Sequence, residues 1–307
     1  MPVSVFDASP AAAASSGDPA LAPSRAEALA AAWRAYYERA SEAPRHPAAR
    51  DFLHDDVTAA LKRLIPADAS VLEVGCGEGS LLAALPNRHR AGVDYLPELV
   101  ARARARHPEI AFEVADATAP DEAVERLGPA GSERFDAVVC DRLCHSVLDV
   151  RALLAGLKRR LAAGGRIYLT AFNYLWEVPV RLAEMSGWKQ PAPTANWLSD
   201  ADFRNLFDIS GIEVVRYEDR LLLPIEVPAL STTLNRYLVR APAMKHVSLY
   251  RVYVLRARDA APAPRRASVS VIVPSRNESG NVAAAVARTP VMGTGTELIF
   301  VEGHSTD

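Results

Sequence analysis

Three glycines and a downstream aspartate form the part of this chain best suited to bind a ligand. Val71–Gly79 reads Val-Leu-Glu-Val-Gly-Cys-Gly-Glu-Gly, an apolar run entering a glycine loop, and a short helical segment follows from Ser80. Glycines let the backbone approach a ligand that side chains would block, and the N–H groups of a helix N-terminus face whatever binds there. Asp94 ends the next apolar run, about 20 residues after the loop begins, where a carboxylate can accept hydrogen bonds from ribose hydroxyls.

The spacing of the glycines indicates which kind of nucleotide the loop binds. A dinucleotide fingerprint, G-x-G-x-x-G, would require a third glycine where the chain has Ser80. The pattern is instead E-x-G-x-G-x-G, from Glu73 to Gly79. It resembles motif I of the class I S-adenosylmethionine (SAM)-dependent methyltransferases, and the resemblance covers about residues 30–257. The resemblance implies SAM as the cofactor and methyl transfer as the reaction.

This resemblance also implies roles for the residues around the methionine part of the cofactor. Gly75, Gly77 and Gly79 would border it, and Glu73 would order the nearby backbone and reach the methionine amine. Cys140, at the end of the fourth predicted strand, would line the sulfonium face. Packing in the core is the alternative interpretation of that cysteine.

The adenosine part of the cofactor is assigned in the same way. Asp94 would bind the ribose diol, Tyr95 or Leu96 would stack beside the adenine, and Asp116 would accept from the adenine amino group. A helix-capping role is the alternative for Asp116. The complete predicted cofactor-binding set is Glu73, Gly75, Cys76, Gly77, Gly79, Asp94, Tyr95, Asp116, Ala117 and Cys140.

A histidine and an aspartate after the fourth predicted strand are the candidates for catalysis. Methyl transfer requires a nucleophile held in line at ~3–3.5 Å and the exclusion of water, and a hydroxyl nucleophile usually also needs a base. His145 lies where the chain would pass the methyl donor, and its ordinary pKa of ~6.5 suits proton abstraction near neutral pH. Asp141 is the second candidate. A loop-shaping histidine and a solvated carboxylate are the alternatives.

Apolar runs alternate with helical patterns, which predicts a doubly wound, mostly parallel α/β sheet. The fold expected from the resemblance is the Rossmann-like methyltransferase fold with seven strands. Strands are predicted at 69–74, 90–94, 110–115, 135–140, 166–171, 212–217 and 248–256, and helices at 26–40, 49–64, 79–85, 97–106 and 149–162, with a further helix capped by Ser199.

The segment 172–210 departs from this alternation and is predicted to be an insertion over the sheet edge. Its aromatic residues, from Tyr174 to Trp197, could form an acceptor lid that stacks on a flat or sugar-ring substrate. Tyr36 and Tyr37, on the first helix, could close the pocket from the other side. Packing in the core is the alternative role for all of these aromatic residues.

A second strand–helix–strand pattern follows a linker predicted at 259–267. Val269–Asn281 and Glu297–Asp307 resemble the start of a GT-A-type glycosyltransferase similar to the dolichol-phosphate-mannose synthases. The family's D-D-x-S-x-D segment would correspond to Glu302–Asp307, where the first two acidic positions are Glu and Gly. Because no D-x-D motif follows, residues 268–307 are predicted to be an incomplete fragment of a second α/β domain, and a chance pair of strands is the alternative.

Composition limits the classes of partner. The net charge of −2 does not favour nucleic acid, and no apolar stretch reaches the ~20 residues needed to span a membrane. With only three cysteines, of which Cys76 lies in the glycine loop, a disulfide framework is not expected, no metal site is predicted, and the cytoplasm is the expected compartment. Residues 1–25 are predicted to be a disordered tail before a methyltransferase domain at 26–258.

The sequence therefore predicts a SAM-dependent methyltransferase that acts on a small-molecule or glycan-related acceptor, at oxygen. Two alternatives stay open at this stage. One is an N- or C-methyltransferase of another metabolite, and the other is a non-catalytic SAM-binding domain fused to a glycosyltransferase.

Overall fold

The structure is a computed structural model. It describes residues 24–42, 47–118, 127, 134–193, 196–224, 227, 230–241, 244–258 and 268–306. Residues 1–23 of the predicted tail and the predicted linker at 259–267 lie outside the described residues. Among the described residues, no helix combines the length and the apolar character needed to cross a bilayer.

Strands and helices alternate along the first unit, which ends at Ala257. Its strands are β1 (Val71–Val74), β2 (Arg90–Asp94), β3 (Ala111–Val114), β4 (Phe135–Asp141), β5 (Leu161–Phe172), β6 (Ile212–Arg220) and β7 (Tyr250–Ala257). Its described helices are α1 (Arg25–Glu42), α2 (Pro47–Leu64), α3 (Ser80–Ala84), α4 (Pro97–Arg106), α5 (Val150–Arg159), α6 (Glu177–Met185), α7 (Asp200–Ile209) and α8 (Leu230–Arg236).

The strands form one 7-stranded sheet in the order β3-β2-β1-β4-β5-β7-β6. All neighbouring strands are parallel except β7, which is antiparallel to β5 and β6. This arrangement confirms the predicted Rossmann-like fold. The strand order reverses between β1 and β4, and ligands of open α/β sheets bind in the crevice at the carboxyl ends of the strands beside such a reversal.

The register of these strands decides which side chains share a face. Glu73 of β1 lies opposite Gly92 of β2 and Val139 of β4. Because side chains alternate along a strand, Asp94 and Asp141, two residues further on, lie on the same face as Glu73. Three carboxylates therefore meet at the carboxyl ends of three adjacent strands, on one side of the sheet.

Both faces of the sheet are covered by helices whose apolar residues are buried. One core cluster contains Leu153 and Leu157 of α5 and Phe203 and Phe207 of α7. The other contains residues of α2, α3 and α4, among them Leu61, Leu82 and Val100. The face that carries the three carboxylates is the one covered by α2, α3 and α4.

Strand β5 shows the largest difference from its predicted bounds. The strand β5 begins at Leu161, earlier than the predicted 166, because Leu161 pairs with Phe135 before the register shifts to Ala137 opposite Arg166. The segment predicted as an insertion over the sheet edge contains helix α6 (Glu177–Met185). Its proline lies in the first turn, where a helix tolerates a residue without an N–H donor.

Residues 258–307 form a separate compact unit. Strand β8 (Val269–Ser275) pairs in parallel with β9 (Thr296–Glu302), and helix α9 (Ser279–Arg288) connects them. The residues of β8 alternate between half-buried and exposed, and Ile272 is 64% exposed. The resemblance of this unit to a glycosyltransferase stays a prediction.

Candidate active site

Glu73 is the most deeply buried of the three carboxylates. Its side chain is 3% exposed, and among the described residues its Oε2 atom has no hydrogen-bond partner. Burial raises the pKa of Glu73 well above its ordinary value, and the nearby charges of Asp141 and Asp94 raise it further. A buried acceptor without a donor is costly. This geometry fits a site whose ligand carries a positive, hydrogen-bonding group.

Asp94 connects the glycine loop to the end of β2. Its Oδ2 accepts from the Gly77 N–H at 2.9 Å, and its Oδ1 accepts from the Leu96 N–H at 3.0 Å. Burial raises the pKa of Asp94, whereas these N–H donors lower it. Each carboxylate oxygen can accept a second hydrogen bond, so Asp94 can hold the loop in place and still bind a pair of hydroxyl groups.

Two glycines of the loop are required for different reasons. Gly77 has φ +54°, and a Cβ atom added there would meet nothing within 4 Å, so the space beside it is open to a ligand. Gly79 has φ +77°, and a Cβ atom there would lie 2.6 Å from Cζ of Phe112. The first glycine therefore leaves open space beside the loop, and the second lets the loop pack on β3.

Alanine substitutions separate these two roles. We expect Gly79→Ala to lower the free energy of unfolding by about 2–4 kcal/mol, the combined cost of overpacking and of a left-handed backbone. We expect Gly77→Ala to cost only about 1 kcal/mol of stability while it weakens binding of the predicted cofactor. Urea unfolding and calorimetric titration measure the two effects. Equal losses of stability in both variants would contradict the assignment.

The part of the site that is predicted to hold adenine is less enclosed than the part around Glu73. Tyr95 is half-buried, its hydroxyl has no hydrogen-bond partner among the described residues, and Tyr37 and Arg34 of α1 lie near enough to influence its charge. Leu96 is buried in the core, which leaves Tyr95 as the better candidate to stack beside a base. Asp116 is exposed and accepts from both the N–H and the hydroxyl of Thr118 at 2.7 Å, the geometry of the capping alternative. Its contact with adenine stays a prediction.

The structure does not bring the two predicted cysteines into the open part of the site. Cys140 is fully buried on the face opposite Glu73, in the cluster that contains Cys144. The prediction for Cys140 did not account for the alternation along β4, which places Asp141 rather than Cys140 on the face of the sheet that carries Glu73. Cys76 is also buried, and a Cβ atom at Gly92 would lie 2.8 Å from its sulfur, so it packs beneath the loop.

Asp141 is held by an ion pair and a hydroxyl group. Its Oδ2 accepts from Nη2 of Arg142 at 2.6 Å and from Nε at 3.0 Å, and its Oδ1 accepts from the hydroxyl of Thr170. Although burial raises the pKa of Asp141, the contacts with Arg142 and Thr170 outweigh it, and the pKa is lowered. An ionised carboxylate with both oxygens engaged is a weak base, so this geometry favours an anchoring role.

His145 is buried against an aromatic wall. Its Nε2 atom accepts from the N–H of Phe172 at 3.2 Å, and its Nδ1 atom is buried with no partner among the described residues. The ring packs edge-to-face on Phe172 and Trp197, with centroids 5.1 and 5.6 Å away. Burial, assisted by Arg142, lowers the pKa of His145 to about 4. Because Nε2 is an acceptor here, the proton lies on Nδ1 and no lone pair is left for a substrate, which favours the loop-shaping alternative.

The lowered pKa of His145 predicts acid sensitivity. The unfolded chain takes up this proton near pH 6.5, whereas the folded protein resists it until pH falls to about 4. Stability from this group is therefore full above pH 6.5 and is lost as pH falls to 4, by on the order of 3 kcal/mol. We expect urea unfolding of His145→Gln to show a flatter pH profile than wild type in this range. The exposed His89→Gln is the control, and parallel profiles for all three proteins would contradict the prediction.

The predicted acceptor lid is tied at both ends to segments that adjoin strands of the sheet. Near its start, the Asn173 amide donates to the Ser248 carbonyl at 3.0 Å, and near its end the Asn196 amide donates to the Cys144 carbonyl at 3.2 Å. Between these points, the Gln190 amide donates to the backbone carbonyl of Tyr36 in α1 at 3.1 Å. The lid and α1 therefore meet, as expected for two elements that close a pocket from opposite sides.

A small pocket of about 60 Å³ lies within this lid. It is lined by residues of α6 and of the following loop, including Glu184 and Trp197, and by none of the three carboxylates. It lies on the lid, apart from the carboxylates at the strand ends.

Sequence reasoning missed Arg142, Thr170 and Asn196. Arg142 follows Asp141 directly in the chain, and this adjacency was the sequence signal that could have indicated their ion pair. The other two depend on contacts 29 and 52 residues apart, so no local pattern indicates them.

Comparisons with known proteins agree with this geometry. Residues 45–217 match the family model described as a methyltransferase domain. A ubiquinone biosynthesis O-methyltransferase of Xylella fastidiosa is 30% identical over 179 residues, which are 53% of this chain and 71% of that protein. The corresponding Xanthomonas axonopodis protein is 29% identical over 178 residues, 52% of this chain and 73% of its own.

A solved structure shares the fold. A SAM-dependent methyltransferase of Thermotoga maritima, described as a possible histamine N-methyltransferase, superposes with a TM-score of 0.53 at 16% identity, covering 76% of this chain and all (100%) of that one. At this identity the likeness supports the fold alone. Together with the family model, the fold and the carboxylate-lined glycine loop, these findings show that the chain belongs to the SAM-dependent methyltransferases.

Proposed function

We propose that this enzyme transfers the methyl group of SAM to an oxygen of a small, ring-bearing acceptor. The observation that carries the proposal is the buried Oε2 of Glu73, which has no partner among the residues that the structure describes, together with Asp94 beside it and the open space at Gly77. Glu73 suits a cationic methionine, Asp94 suits a ribose diol, and Gly77 permits a close approach of the ligand to the backbone.

The residues would hold the cofactor as follows. Glu73 would accept from the methionine ammonium, Asp94 from the ribose hydroxyls, and the Gly77 region would leave room for the methionine chain. When bound, SAM supplies a methyl group that is already activated by the sulfonium charge. The protein has to orient the acceptor oxygen toward that methyl group and exclude water.

The acceptor side is supported by the aromatic wall. Phe172 and Trp197 flank His145 at the carboxyl end of the sheet, and the lid carries Trp197 to this point. Aromatic faces of this kind stack on flat rings. Oxygen is favoured over nitrogen or carbon as the methylated atom because the curated relatives are named O-methyltransferases. A glycan-related acceptor remains a narrower version of the same proposal.

A transfer assay tests the proposal. The purified chain is incubated with SAM and panels of ring-bearing hydroxyl, amine and carbon acceptors, and S-adenosylhomocysteine release is measured together with the mass of the product. We expect turnover with hydroxyl acceptors and none with Asp94→Ala at the same cofactor concentration. Turnover confined to amines would contradict the proposal, and cofactor binding without any turnover would favour the non-catalytic alternative.

A further inference from the structure

Arg142 has an unusual backbone conformation at the end of β4. Its φ is +51°, in the left-handed region that residues with a side chain rarely adopt. Its N–H donates to Thr170 twice, to the carbonyl oxygen at 3.1 Å and to the hydroxyl at 2.9 Å. Such conformations persist where the surroundings hold them, often at functional sites. The neighbouring strand therefore holds Arg142 in place at the carboxyl end of the sheet.

The guanidinium group is anchored along one edge. Nε and Nη2 bind Asp141, whereas Nη1 has no hydrogen-bond partner among the described residues. The Arg142 side chain is 29% exposed, compared with 9% for Asp141. Arginine carries five N–H donors in a fixed plane. The ion pair with Asp141 therefore fixes the plane of the guanidinium and leaves its other edge available to a ligand.

The groups that face Arg142 come from both halves of the site. Glu73 lies on the cofactor side, and the Arg142 charge lowers the Glu73 pKa. His145 lies on the lid side, and the same charge lowers its pKa. Tyr37 of α1 and Tyr250 of β7 also lie close enough to raise the pKa of Arg142. Arg142 is thus a cation close enough to both Glu73 and His145 to lower their pKa values.

Neither predicted catalytic residue is a good acceptor for a substrate proton. The ion pair with Arg142 and the Thr170 hydroxyl stabilise the ionised form of Asp141 and so weaken it as a base, and the acceptor nitrogen of His145 already binds the Phe172 N–H. A hydroxyl group can instead react if its oxyanion is stabilised by a charged donor, because hydrogen bonding to the ionised form lowers its pKa.

We propose that Arg142 donates a hydrogen bond from Nη1 to the acceptor oxygen and stabilises it as an oxyanion during transfer. The acceptor O–H bond breaks and its proton passes to solvent. The oxygen electron pair then forms the new C–O bond as the C–S bond breaks, and the departing pair remains on sulfur as a neutral thioether. This inference rests on the proposed O-methylation, and it makes Arg142 rather than His145 the catalytic residue.

Titration of a bound chromophore tests this role without turnover. Nitrocatechol, whose absorbance reports its ionisation, is added to the full chain saturated with S-adenosylhomocysteine. We expect the apparent pKa of bound nitrocatechol to be lower than in water by about one unit or more. Arg142→Gln should abolish this shift, and Arg142→Lys, which keeps the charge but not the planar fork, should retain part of it.

Two further variants keep the test decisive. Arg142→Gln combined with Asp141→Asn avoids an unpaired buried carboxylate and should fold while still lacking the shift. Arg204→Gln removes an exposed arginine of α7, which pairs with Asp200, and should behave as wild type. A shift that persists in the Arg142 variants, or no binding of nitrocatechol by the wild-type complex, would overturn the inference. If hydroxyl acceptors are not methylated by wild type at all, the proposed function fails instead.

Discussion

Asp94→Ala should lower the affinity for S-adenosylhomocysteine by about 100-fold. The carboxylate is expected to accept from two ribose hydroxyls, and hydrogen bonds to a charged group contribute about 1.5–3 kcal/mol each, so the loss of both amounts to about 3 kcal/mol. The variant also leaves the Gly77 N–H without its hydrogen bond to Asp94 Oδ2, which is 2.9 Å long in the wild-type protein. Isothermal titration calorimetry measures the affinity directly.

Asp136→Ala is the matched control for this variant. Asp136 accepts from the N–H and the hydroxyl of Ser70 at 2.9 and 2.7 Å, at the amino end of β4 and so at the opposite edge of the sheet. The loss of the Asp136 carboxylate should reduce stability without lowering the affinity for S-adenosylhomocysteine. If Asp94→Ala binds S-adenosylhomocysteine within about threefold of wild type, a difference of well under 1 kcal/mol, Asp94 does not bind the ribose.

Glu73→Gln should have opposite effects on stability and on cofactor binding. In the unliganded protein, the raised pKa of Glu73 means that its stability contribution is full at low pH and is lost as pH rises through the folded pKa. Glutamine removes that loss, so we expect the variant to unfold at a higher temperature than wild type at pH 8. The same change removes a charged acceptor for the methionine ammonium and should weaken SAM binding by about 10- to 100-fold.

Proton release provides a second measure of the same effect. A cationic ligand favours the ionised carboxylate, so SAM binding should release a proton from Glu73 and become tighter as pH rises toward the folded pKa. Calorimetry in buffers of different ionisation enthalpy counts the protons. The count should fall in Glu73→Gln and stay unchanged in Glu109→Gln, whose side chain is 55% exposed. Equal proton release from wild type and Glu73→Gln would contradict this account.

Elements with local signals were predictable from the sequence. Strand β2 and helix α4 have the predicted bounds because Asp94 ends an apolar run and Pro97 fits a first helical turn. The capping box of Ser199 and Asp202 at the start of α7 is also local. The glycine loop could be predicted because its glycines are required by backbone geometry and by the ligand.

The parts that depend on register were not predictable in this way. Whether Cys140 or Asp141 shares a face with Glu73 depends on how β4 pairs with β1, which no local pattern contains. The role of His145 depends on the N–H of Phe172, 27 residues away, which occupies its acceptor nitrogen. Residue type suggested a base, but the hydrogen bond decides the position of the proton. The adjacency of Arg142 and Asp141 was a local signal for their ion pair, but the left-handed backbone of Arg142 has no sequence signature.

A crystal structure of the chain with S-adenosylhomocysteine tests the central claim most directly. The account predicts the ribose diol on the carboxylate of Asp94, the amine of the homocysteine within hydrogen-bond distance of Glu73 Oε2, and the ligand chain over the open side of Gly77. A nucleoside bound elsewhere, or an amine held by other groups while Glu73 Oε2 stays without a partner, would contradict it.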